Sequence, residues 1–156
     1  MSRRNIAWDD WMSHLGEADE VLMECEDFFV YGSLQSHGWN NPLLSTAYQV
    51  DSRAITQDKY VLGNVGFPYA FPKHVVPEQH YDLLFPVQGE VWRVTENSTV
   101  LDLDRLEGHP NHYEREIVTL ADGTKAWMYL QKDWYLAGSC EACHLDEGVW
   151  KWRDNY

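Results

Sequence analysis

Hydrophobic and polar positions change rhythm several times along this chain, and each rhythm predicts an element. Trp8, Trp11, Met12 and Leu15 recur at helical spacing, and Ala18, Leu22 and Cys25 prolong the stripe past Gly16, which predicts an amphipathic N-terminal helix or helix pair. Asp27-Phe28-Phe29-Val30-Tyr31 is a short aromatic and β-branched run cut off by Gly32-Ser33, the pattern of a buried strand that ends at a sharp turn. Residues 35–49 are polar and contain Gly38, Asn40, Asn41 and Pro42, so they read as a loop leading to a short helix or strand. The span 60–86, rich in Pro, Gly and aromatics, reads as short strands mixed with long loops. Alternation over Gly89-Glu90-Val91-Trp92-Arg93-Val94 predicts a strand. Asn97 or Ser98 then offers an N-cap, Val100, Leu103 and Leu106 follow at helical spacing, and Gly108 and Pro110 stop the helix. Tyr113 to Leu120 and Thr124 to Leu130 flank Ala121-Asp122-Gly123, and Asp-Gly between strand-like runs predicts a hairpin. The tail from Gln131 mixes Trp and Tyr with charges, and its form is open.

Composition narrows the class. A chain of 156 residues, 44% of them hydrophobic, makes one domain, since a chain of this size buries roughly two thirds of its unfolded surface. No internal repeat or low-complexity tract interrupts it. Twelve Lys+Arg against 25 Asp+Glu give a net charge of −13, which argues against nucleic-acid phosphate or an anionic membrane as the main partner. No apolar run approaches the ~18 residues of a spanning helix. Met1-Ser2-Arg3-Arg4 is followed by Trp, Asp and Glu, unlike a signal peptide, so a cytoplasmic protein is expected. Three cysteines, an odd number, fit a reducing compartment better than a disulfide framework. Eight Trp, nine Tyr and five Phe argue against disorder.

Two features carry candidate chemistry. Helical geometry puts Glu107 four residues after Leu103 and seven after Val100, on the stripe that faces the core. Desolvation there penalises the charged carboxylate and the carbonyl end of the helix adds to that, so both raise its pKa toward a value useful for moving protons. The competing reading is that Glu107 leaves the helix at its last turn and reaches solvent. The second feature is Val30-Tyr31-Gly32-Ser33-Leu34, a strand running into a glycine turn whose N–H groups, released from the sheet ladder, can point at an anion.

Phe29-Val30-Tyr31-Gly32-Ser33-Leu34, then Gly38 and Asn40, then Leu103-Asp104-Arg105-Leu106-Glu107-Gly108-His109-Pro110 and Tyr113-Glu114-Arg115 together resemble the γ-glutamylcyclotransferase-like family. The branch most similar is that of the γ-glutamylamine cyclotransferases and AIG2-like proteins, over about residues 28–130. The resemblance implies an α+β fold, a small mixed β-barrel-like sheet with flanking helices and a cavity at its mouth. It implies an enzyme that cyclises a γ-glutamyl group to 5-oxoproline and releases an amine, without a cofactor or metal. On this sequence the turn falls on Tyr31, Gly32, Ser33 and Leu34, whose backbone would hold the substrate's α-carboxylate, and the acid/base glutamate falls on Glu107. Tyr113, Arg115 and Tyr129 match family positions around the cavity. Relatives often carry Lys or Arg just after the turn, where this chain has Gln35-Ser36-His37. The resulting domain plan is an N-terminal helical extension (1–26), the catalytic-type domain (27–130) and a tail (131–156) packed on it. The partner expected is a small γ-glutamyl molecule, with oligomeric state open.

Other motifs carry less. Cys140-Glu141-Ala142-Cys143-His144 spells a c-type haem attachment sequence, but that chemistry belongs to exported proteins. Zinc held by Cys140, Cys143, His144 and Cys25 is chemically permissible, yet a single C-x-x-C is a weak signal, and no metal is expected. The seven histidines form no metal or catalytic pattern, and most read as surface or loop residues. The alternative to an enzyme is a binding module that keeps the same cavity to capture a small molecule without turning it over.

Overall fold

The computed structural model describes residues 19–63, 68–138 and 143–153. Its centre is a five-stranded mixed sheet in the order β2-β5-β1-β7-β6. These strands are β1 (Asp27–Val30), β2 (Tyr48–Ile55), β5 (Gln88–Arg93), β6 (Glu114–Thr119) and β7 (Lys125–Leu130). Two further pairs, β3 (Tyr60–Leu62) with β4 (Ala70–Pro72) and β8 (Cys143–Asp146) with β9 (Val149–Trp152), are antiparallel ribbons. Within the five-stranded sheet, as far as the described residues show, β1 and β7 form the parallel pair, joined at Phe28↔Trp127. The sheet curls because its two edges meet: Thr56 beyond β2 bridges Leu120 beyond β6, with Gln57 N–H on the Thr119 carbonyl and Ala121 N–H on the Ile55 carbonyl. That closure is the barrel-like α+β architecture expected from the sequence.

Alternation sorts side chains onto two core faces. Phe28 and Val30 of β1 join Trp127 and Tyr129 of β7 in one apolar cluster, while Phe29, Tyr31, Ala126, Met128 and Leu130 enter a second on the opposite face. With both faces covered, β1 reads as a continuous apolar run. The α-helix α1 (Asn97–Glu107) seals the first face with Val100 and Leu103, both fully buried. Its N-cap is Glu96, one residue before the expected Asn97, whose side-chain amide is turned outward to Asp19 instead. Gly108 ends the helix at φ 67°, a left-handed conformation that glycine adopts without a Cβ penalty.

The hairpin β6–β7 forms as expected about Asp122-Gly123, and Asp122 Oδ1 accepts the Thr124 N–H at 3.0 Å. Strand β2 takes the place of the short helix or strand left open after the 35–49 loop; its face is mostly exposed, with Tyr48 at 53% and Val50 at 45%, so no apolar alternation told the two apart. The tail acquires a definite form: Trp150 and Trp152 of β9 are buried in the second cluster, and Trp150 Nε1 donates to the Leu83 carbonyl at 3.0 Å. Of the expected N-terminal helix, residues 19–24 are helical, and Trp127 Nε1 ties the following Cys25 carbonyl to β7 at 2.9 Å. Trp8 to Ala18 lies outside the described residues. No helix among the described residues is long and apolar enough to cross a membrane.

Candidate functional site

Where β1 leaves the sheet, the chain turns at residues 31–34 and faces the C-terminal end of α1 across a cavity of about 180 Å³. Tyr31, Gly32, Ser33 and Leu34 form one wall and Glu107 another, with Tyr113 and Tyr129 between them. The last ladder pair of β1 with β5 is Val30↔Glu90, and beyond it the N–H groups of Gly32, Ser33 and Leu34 have no acceptor among the described residues. Local bonds hold the turn open: Gln35 N–H reaches the Gly32 carbonyl, Asn40 N–H the Ser33 carbonyl, and Asn40 Nδ2 donates to Ser33 Oγ at 2.8 Å.

Glu107 does not swing out to solvent. It is half-buried in the cavity wall, and its pKa is pushed up to about 7, first by desolvation and then by the negative charge of Asp104 one turn earlier. The expected direction is therefore present, with a neighbouring carboxylate as the second cause in place of the helix end. The four cavity phenols are neutral hydrogen-bonding groups: burial raises the pKa of Tyr31, Tyr69, Tyr113 and Tyr129, and the Glu107 charge adds to each. Their hydroxyls already have partners. Tyr31 donates to the Tyr129 carbonyl at 2.6 Å, Tyr113 to the Pro68 carbonyl at 3.0 Å, and Tyr129 to Asp104 Oδ1 at 2.5 Å.

Arg115 is corrected. It is not part of the cavity wall; its guanidinium forms a two-pronged pair with Asp104 (Nε to Oδ1 2.9 Å, second prong 3.0 Å) and lies over the Trp127 ring. The resemblance placed it with Tyr113 around the cavity, but its pairing with Asp104 holds the guanidinium against the flank of α1.

Several wall residues escaped sequence reasoning. Tyr69 and His112 lie 2.9 Å apart (Oη to Nε2) at the edge of the cavity; His112 is the exposed loop residue that the sequence suggests, and it also lines the cavity. Asn40, Pro68 and Leu106 also line the space. Glu90, 6% exposed, stands behind the turn and accepts Ser36 N–H and Ser36 Oγ at 2.7 Å each and Trp92 Nε1 at 3.0 Å. The alternation that predicts β5 places Glu90 on the same face as buried Val94, a signal that could have found it.

Among the described residues no three His, Cys, Asp or Glu side chains gather as metal ligands would. Cys25 packs against the first core cluster and Cys143 against the second, so the imagined four-ligand set is split across the sheet; Cys140 lies outside the described residues.

Residues 28–151 match the family model described as gamma-glutamyl cyclotransferase, AIG2-like, a span that continues past the expected limit at 130 into the tail hairpin. A Methanocaldococcus jannaschii protein, provisionally named a gamma-glutamylcyclotransferase, is 33% identical over 109 residues, covering 67% of this chain and 82% of that protein. The crystal structure of a mouse AIG2-like protein superimposes with a TM-score of 0.58 at 21% identity, over 84% of this chain and 98% of the other. An uncharacterized Pyrococcus horikoshii protein gives a TM-score of 0.53 at 19% identity, over 69% and 78% of the two chains.

Proposed function

The chain belongs to the γ-glutamyl cyclotransferase, AIG2-like family, and we propose that it cyclises the γ-glutamyl group of a γ-glutamylamine to 5-oxoproline, with Glu107 as general acid/base. The observation that carries this reading is a half-buried carboxyl with a pKa of about 7 in the wall of the cavity that the glycine turn also lines.

The substrate's α-carboxylate is held by the amides of Gly32, Ser33 and Leu34, which curls the glutamyl chain so that its α-nitrogen meets its own side-chain carbonyl. Intramolecular attack of this kind reaches effective molarities of ~10⁵ M or more, so no protein nucleophile is required. Glu107 removes a proton from the α-ammonium group, the new C–N bond closes the five-membered ring, and the ring nitrogen releases a second proton to solvent as the old amide C–N bond breaks. The proton held by Glu107 passes to the departing nitrogen, which leaves as the free amine. Such proton transfer contributes typically ~10²–10⁴-fold. Negative charge developing on the amide oxygen needs donors in place. Because the Tyr113 hydroxyl is engaged by Pro68, the turn amides are the better supported donors.

The test is to incubate the protein with γ-glutamyl-lysine, γ-glutamyl-putrescine, γ-glutamyl dipeptides and glutathione and to measure 5-oxoproline. Turnover of an amine conjugate that is lost in Glu107→Gln, with folding intact, is the expected result. Full activity in that variant removes Glu107 from the mechanism, and tight binding without product replaces the enzyme by a capture module.

A further inference from the structure

The side chain that organises the cavity wall from behind is Asp104, and no step of the reaction above uses it. Its Oδ1 is met from two strands at once, by Arg115 Nε of β6 at 2.9 Å and by the Tyr129 hydroxyl of β7 at 2.5 Å, while Oδ2 takes the second prong of Arg115 at 3.0 Å. The pair is well sheltered, with side-chain exposures of 9% for Arg115 and 18% for Asp104. Through Tyr129 the connection continues across the site, since the Tyr129 carbonyl accepts the Tyr31 hydroxyl, which in turn accepts the Ala70 N–H. One carboxylate thus ties α1, β6 and β7 together and anchors a phenol that lines the cavity with Glu107.

We propose that Asp104 is the positioning residue of this site: it pins the Tyr129 phenol in the cavity wall and places a fixed negative charge one helical turn behind Glu107. Residues three apart on a helix are neighbours on one face, and like charges so placed disfavour each other's ionised form. The remaining groups that face Glu107 from packed elements are the phenols of Tyr31, Tyr69, Tyr113 and Tyr129 and the imidazole of His112. None of the phenols carries charge near neutral pH, because burial raises all four. Asp104 is the charged neighbour that acts on Glu107, and Arg115 pairs with the same carboxylate.

This inference rests on reading Glu107 as the proton carrier, but its test does not require turnover. Side-chain carboxyls of the full chain are titrated by ¹³C NMR, with the Glu107 signal identified by its loss in Glu107→Gln. In Asp104→Asn, which keeps an acceptor for Arg115 and Tyr129 but removes the charge, the Glu107 midpoint falls by about one pH unit. In Asp104→Glu, which keeps the charge, it stays within a few tenths. A purely structural role would disturb both variants alike. An unchanged midpoint in folded Asp104→Asn overturns the proposal. Should that variant not fold, Tyr129→Phe takes its place: it strips one donor from Asp104, the Glu107 midpoint rises, and a midpoint that does not move overturns the proposal equally. Absence of 5-oxoproline from every substrate bears on the activity alone and leaves this titration standing.

Discussion

In the proposed reaction Glu107 sets activity and stability against each other. Its carboxyl titrates near 7 in the folded chain against an ordinary value of 4.5, so between those pH values the folded state holds a proton that the unfolded chain has released. Stability is therefore full below about pH 4.5 and is lost as pH rises toward 7, by at most about 3 kcal/mol. Glu107→Gln removes that loss. Urea unfolding at pH 8 is expected to find the variant more stable than the parent by about 1–3 kcal/mol, with no difference near pH 4. In the same pH range the proposed mechanism is expected to show kcat/KM of the parent rising through a midpoint near 7, as the base form of Glu107 appears. Glu107 was legible in the sequence because three positions on one helical stripe, Val100, Leu103 and Glu107, set a carboxyl among apolar neighbours. Arg115 and Glu90 were not, because which side of a strand a charge occupies, and which partner meets it there, depends on the packing of other elements.

At the scale of elements, the loop after β1 is as constrained as any strand. A Cβ on Gly38 would stand 2.0 Å from the Ser33 carbonyl oxygen, so this loop closes on itself only with glycine there. Gly38→Ala is expected to displace the 33–40 segment, lower stability by about 1–3 kcal/mol and raise KM far more than it lowers kcat. Unfolding curves and steady-state kinetics measure the two effects, and an unaltered KM would show that the segment does not position substrate. Glu90→Gln loosens the same loop from below by weakening its hold on Ser36. Elements with strict rhythm, β1, α1 and the β6–β7 hairpin, could be read from the chain within a residue or two. Strand β2 could be read only as a short helix or strand of undefined limits, since a strand with a mostly wet face carries no apolar period. The β8–β9 hairpin could not be read, because its two buried tryptophans find their partners only when the second core face exists.

For the whole molecule, the tail is a structural part of the core. Trp150 is 9% exposed, donates to the Leu83 carbonyl and pairs in parallel with Val87 beside β5. Trp150→Ala is expected to cost about 3–5 kcal/mol, read by chemical denaturation, and a change below 1 kcal/mol would show that the hairpin is a detachable flap. The net charge of −13 acts at this scale as well: with the proposed substrate class, a γ-glutamyl conjugate of a polyamine, kcat/KM is expected to fall as salt is added, which steady-state assays at rising ionic strength measure.

The unclaimed amide hydrogens at Gly32, Ser33 and Leu34 carry one more implication. A grip made of peptide groups has no side chain to delete, so an alanine scan through this stretch passes over it in silence. It becomes visible only to changes in the backbone itself, such as an ester replacing the amide at Ser33 or Leu34.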